Sequence, residues 1–178
     1  GTWTITSSPG GLTQTGTGTS YTWVNNTPSI GLGASGTGSI APFTALNNGT
    51  TPITATITVT PLYTDGGTNC NGPTKTFTIT VNPAANVNQP NNLTFCHNVV
   101  VPAISFTTAN TNGTTTYTWS SDTAAIGISA SGQGDIATFT TSNTSTQPIT
   151  ATLTVTPSFT NGGLVCSGVA KTFTITVN

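Results

Sequence analysis

Charge is nearly missing from this 178-residue chain: two lysines, Lys75 and Lys171, three aspartates, Asp65, Asp122 and Asp135, and one histidine, His97. A net charge of −1 offers no basic footprint for nucleic acid and no polybasic patch for a membrane surface. General acid–base chemistry needs titratable side chains in pairs or triads. Here any Ser/His/Asp arrangement would have to use His97, so no catalytic residue is expected, and His97 reads as a surface or strand-edge histidine. Apolar runs near the ~18 residues of a membrane span are absent, so direct membrane insertion is not expected. The opening GTWTITSS has no starting Met, basic stretch or apolar core, and any export signal is expected to lie outside this sequence. No Cys-x-x-Cys or Cys/His cluster suggests zinc. A calcium site would need several carboxylates or carbonyls around one ion. Asp122 and Asp135 face Asn26 and Ser39 at the corresponding places of the other half, which argues against a metal site common to both.

Threonine is what the chain has in abundance, about a quarter of all residues, with Asn, Ser and Gly supplying most other polarity. Hydroxyls and amides must therefore provide solubility, which suits a glycosylated, immobilised or arrayed exterior. Tyr21 to Asn82 recurs without a gap as Tyr117 to Asn178, a fixed offset of 96 residues. Roughly 60% of the paired positions are identical, the mark of one unit repeated. The offset exceeds the ~20–50 residues of solenoid repeats and matches a small domain with its own core.

Period-2 alternation dominates both copies and predicts half-buried strands. Ile53, Ala55, Ile57 and Val59 face one way and Thr54, Thr56, Thr58 and Thr60 the other; Phe77, Ile79 and Val81 alternate with Thr76, Thr78 and Thr80. The second copy keeps the phase with Ile149, Ala151, Leu153 and Val155, then Phe173, Ile175 and Val177. Shorter strands are expected at Tyr21–Trp23, in SIAPFTAL and in VVVPAISFTT. PLYTDGGTNCNGP reads as a connection too long for a two-residue hairpin turn. No helical periodicity is present. Roughly seven short strands per ~90 residues predict an all-β fold of tandem immunoglobulin-like antiparallel sandwiches, with Trp23 and Trp119 in the cores. The expected boundaries are a first domain at 1–82, a Pro-bracketed linker at 83–90 and a second domain at 91–178.

Cys70 and Cys166 are equivalents, while Cys96 opens the second copy. This placement predicts an intradomain disulfide between Cys96 and Cys166, with Cys70 unpaired because truncation removes its partner. Such a bridge would close a ~70-residue loop, contribute about 4 kcal/mol and imply an oxidising compartment. The alternative is three unrelated buried thiols. Lys75 and Lys171 recur at the start of the last strand and read as edge-protecting charges. The glycines of ASGTGSI and ASGQGDI read as a tight turn, not a phosphate loop.

The series YTW, IGxxASGxGxI, FT, PITATxTVTP, GGxxCxG and KTFTITVN resembles the PKD-like, immunoglobulin-type domains strung through giant surface proteins of Bacteroidota. These include the mobile adhesins of gliding bacteria, of the SprB type, exported by type IX secretion. The resemblance implies an extracellular or cell-surface stalk whose partners are neighbouring repeats of the same polypeptide or fibre. It also marks Thr123, in Asp122-Thr123-Ala124, as a candidate O-glycosylation site, absent at Asn26-Thr27-Pro28. Triplets such as Asn48-Gly49-Thr50 and Asn92-Leu93-Thr94 arise by chance in so Thr-rich a chain. The competing reading is a ligand-binding module that uses threonine ladders to hold polysaccharide or ice, although a twist of roughly 20–25° per strand spoils a flat lattice match. The first twenty residues depart from the pattern. The first domain is therefore expected to lack an edge strand, supplied by the preceding part of the same polypeptide or, failing that, by a donated strand.

Overall fold

The computed structural model describes residues 18–65 and 67–178. These residues are all-β, with sheets antiparallel except at one edge pairing, and with one short 3-10 turn at Pro28–Ile30. They divide into two compact units. The first runs as far as Asn47 and resumes over Ile53–Val81; the second takes Asn48–Pro52 and Asn82–Asn178.

The first unit contains β1 (Thr19–Asn25), β2 (Ser35–Thr37), β3 (Ile53–Asp65), β4 (Thr68–Asn71) and β5 (Lys75–Val81). β3 organises it. On one side β3 pairs with β1, from Thr19↔Tyr63 to Asn25↔Ile57. Its first half also pairs with β5, from Ile53↔Val81 to Val59↔Lys75, and its second half with β4, from Leu62↔Asn71 to Asp65↔Thr68. The alternation explains the packing: Ala55, Ile57 and Val59 are buried, and the threonines between them point outward. Trp23, Ile30, Leu32 and Ile40 complete this core.

The second unit repeats the pattern with β8 (Thr114–Ser121), β9 (Ser131–Gln133), β11 (Ile149–Asn161), β12 (Leu164–Ser167) and β13 (Lys171–Val177). The register is the same at an offset of 96: Ile149↔Val177 repeats Ile53↔Val81, and Phe159↔Cys166 repeats Tyr63↔Cys70. It adds β6 (Leu93–Phe95), parallel to β13, and a small sheet of β7 (Val100–Val101) with β10 (Phe139–Thr140). Val87, Phe106, Trp119, Ile126, Leu153 and Phe173 share its core. This layering is consistent with a β-sandwich.

Trp23 and Trp119 are inside, and glycine makes room for them. Trp23 is paired with Gly36, and Trp119 with Gly132. A Cβ on either glycine would overlap the Cζ2 and Cε2 atoms of the facing indole. The first glycine of each ASGxG stretch is therefore a seat for the ring, and only the second, Gly38 or Gly134, has the positive φ of a turn (68° and 69°).

Three expectations are corrected. Residues 83–90 are not a free linker: Ala85 and Val87 are buried, Asn86 N–H donates to Asn110 Oδ1 and Asn88 N–H to the Thr107 carbonyl. Apolar residues at alternate positions draw this stretch into the second unit, which begins at Asn82 instead of residue 91. Next, PLYTDGGTNCNGP and its counterpart are mostly strand. In the second unit β11 and β12 meet at Gly162 and Gly163, whose φ values of 59° and 75° suit a two-residue primed turn. Last, SIAPFTAL forms no strand in the first unit, and VVVPAISFTT yields only β7 and an isolated Ile104↔Ile136 bridge. Pro102 follows β7 and has no N–H with which to continue a ladder. The expected loss of the first unit's initial strand concerns residues 1–17, outside the described residues.

Gly132→Ala should destabilise the second unit by about 1–3 kcal/mol through overpacking against Trp119. Urea unfolding followed by tryptophan fluorescence measures it; an unchanged midpoint would mean the indole has another seat.

Candidate functional site

Asp122, Asp135 and His97 each accept a backbone N–H. Asp122 Oδ1 accepts the Thr152 N–H at 2.8 Å, as Asn26 Oδ1 accepts the Thr56 N–H at 2.8 Å. Either side chain caps the same strand position, so a carboxylate is not required there. Asp135 Oδ1 accepts the Phe106 N–H at 2.9 Å. His97 is exposed, and its Nδ1 accepts the Asn143 N–H at 3.0 Å. Among the described residues no group of three His, Cys, Asp or Glu could hold a metal ion. The clearest titration shift falls on Tyr117: burial pushes its hydroxyl up, the Thr108 hydrogen bond opposes this, and the negative Asp135 adds to it.

The cysteines correct the predicted bridge. All three are free; Cys70 and Cys96 are exposed and Cys166 is half-buried. Cys96 follows Phe95, which sits beside Val177 and hence at the Ile149 end of β11, whereas Cys166 is opposite Phe159. The run from Ile149 to Phe159 covers about 33 Å of strand, while a disulfide needs Cα atoms within about 7 Å. Membership of the same repeat did not make Cys96 and Cys166 neighbours in space.

Lys75 and Lys171 are exposed at the first positions of β5 and β13. Thr123 is half-buried; its Oγ1 accepts the Ala125 N–H at 3.2 Å and its carbonyl accepts from Ser121 Oγ at 2.7 Å. The sequence reading missed a buried asparagine. Asn143 Nδ2 donates to the Gln147 and Val177 carbonyls, and its Oδ1 accepts from Ser145, tying a loop to the end of β13. Asn47 Nδ2 likewise donates to the Val81 carbonyl at 2.8 Å. Its retention in both copies, among loop residues that differ, was the available signal.

The remaining surface is the outward threonine face. In the first unit cross-strand rows run Thr37–Thr22–Thr60 and Thr58–Thr76, followed by Thr56–Thr78 and Thr54–Thr80. Thr54 and Thr80 hydroxyls are 2.9 Å apart, as are those of Thr150 and Thr176. Neighbouring hydroxyls thus partly satisfy one another. Such a face offers neutral hydrogen bonding without an ion or a nucleophile held in place.

Among the described residues no helix is long and apolar enough to cross a membrane. No family model matches the chain, and the search of curated proteins finds no match.

Peptide mapping of unreduced protein should find Cys70 and Cys96 alkylated in the folded state and no linked Cys96–Cys166 peptide. Recovery of that linked peptide would overturn the strand register described above.

Proposed function

We propose that the two units are immunoglobulin-like, PKD-like repeats serving as stalk or spacer in a large extracellular surface adhesin or filament. The reading is structural and assigns no catalysis. One observation carries it: two units with separate cores keep the same strand register at a fixed offset of 96 residues. Divergence is tolerated at loops and surface, as expected where the repeated requirement is the fold itself. Very low charge and exposed hydroxyl rows fit a molecule kept soluble by glycans or by immobilisation.

The ligand-binding alternative, for polysaccharide or ice, rests on the threonine rows. Sugar-binding modules present Trp or Tyr to solvent, whereas Trp23 and Trp119 are each only 7% exposed. That favours the stalk reading.

Antibodies raised against this chain should label intact source cells, and reduced, dissolved material should run at hundreds of kilodaltons. A single reduced species near 17.9 kDa would remove the long-stalk reading in favour of a fibre of separate subunits. In native material we expect a glycan on Thr123 and none on Thr27. Fragment mass spectra showing Thr123 bare would remove that assignment.

A further inference from the structure

The two units differ in how β5 and its equivalent β13 are covered. Asn82–Cys96 acts as a strap along the outer edge of β13. Gln89 Nε2 donates to the Thr172 carbonyl at 2.7 Å, and Asn92 Oδ1 accepts the Thr174 N–H at 2.9 Å. Leu93–Phe95 then runs parallel to Ile175–Val177, and the Phe95 carbonyl accepts the Asn178 N–H at 2.9 Å. Val87 enters the core beneath, and Ala85 lays its carbonyl where a Cβ on Gly168 would stand.

β5 has the same residues in the same register, yet among the described residues it pairs only with β3. The Thr174 N–H points away from β11, so the equivalent Thr78 N–H points away from β3. Parity along the strand gives the Thr80 N–H the same direction. Burial follows the same division. Phe173 is 2% exposed while Phe77 is half-buried, and Ile175 and Val177 at 0% compare with Ile79 at 8% and Val81 at 9%. Gly72, the counterpart of Gly168, still bonds to the Pro61 carbonyl as Gly168 does to that of Pro157. It borders an open groove of about 280 Å3 with Tyr21, Pro61, Tyr63 and Pro73.

We infer that the β5 edge and this groove are a docking site for a strap of the Asn82–Cys96 type from another copy of the repeat. The strap would run parallel to β5, with an Asn capping Thr78 and a Leu-Thr-Phe segment beside Ile79–Val81. The occupant is specified by its fitted example in the second unit, and the sequence of Asn82–Cys96 occurs once in this chain. This deepens the repeat-stalk reading by naming how one repeat completes another. Its test is independent of the size and location of the native protein.

The experiment adds a synthetic peptide of residues 82–96, carrying Cys96→Ser, to the full 178-residue chain. Hydrogen exchange is followed by NMR. The expected result is one peptide bound per chain, with exchange at the Thr78 and Thr80 amides slowed at least tenfold and Thr174 and Thr176 unchanged. Thr80→Pro removes an outward N–H without touching the β3 ladder, and should abolish binding while the tryptophan spectrum stays native. A peptide carrying Phe95→Asp should fail to bind. Thr78 and Thr80 amides already protected in the free chain would overturn the proposal, because the edge would then be covered without a strap from another copy. Peptide that binds only by displacing the resident strap from β13, or does not bind at all, would overturn it equally.

Discussion

Each unit depends on one long strand that satisfies three partners at once. β3 and β11 are thirteen residues each, and both alternate small or branched apolar side chains with threonine. One side of the strand takes β1 or β8. The other is shared end to end by the last strand and by the short return strand β4 or β12. Because side chains alternate strictly, a slip of one residue would send Ala55, Ile57 and Val59 to water and their threonines into the core. The burial pattern thus sets the register for the whole sheet. The indole seats and asparagine-tied loops settle around a ladder already specified.

Low charge sharpens this dependence. With five ionic side chains in the whole sequence, the described part of the fold must use backbone ladders, apolar burial and amide or hydroxyl bonds. Asn110 and Asn143 show how buried amides take over. Asn110 accepts the Asn86 N–H and donates to the Ala84 carbonyl, and Asn143 reaches two carbonyls. Leaving such groups unpaired inside would cost about 1–3 kcal/mol each. Among the described residues five buried polar atoms have no protein partner: Thr19 Oγ1, Asn86 Oδ1, Thr115 Oγ1 and, at the same place in both copies, Trp23 Nε1 and Trp119 Nε1.

The strands were legible where a pattern maps directly onto geometry. Alternation marked β3, β5, β11 and β13, and the repeat announced that the same register would appear twice. What failed was inference about space from position along the chain. Cys96 and Cys166 looked like partners because both belong to the second copy, one at its start and one near its end, yet they lie at opposite ends of β11. Pro83 and Pro90 suggested a joint, although Ala85 and Val87 between them already carried the period-2 signal of a packed stretch. The Gly162-Gly163 pair is itself a hairpin signal, obscured because the connection was read from the first copy, where Gly66-Gly67 is flanked by Thr64, Asp65, Thr68 and Asn69. Threonine rows follow from strand-forming preference as readily as from recognition, so the alternation that marks the strands marks no site.

The parallel pairing of β6 with β13 determines how tension would pass through the second unit. The chain enters the unit through the strap and leaves it at the far end of β13. Pulled along that path, two parallel neighbours are drawn past each other lengthwise, and the rungs between them are strained together instead of one after another. Unzipping would need only one bond to fail at a time. A module closed in this way yields abruptly, as a brittle catch, and its resistance resides in the few rungs from Asn92 to His97.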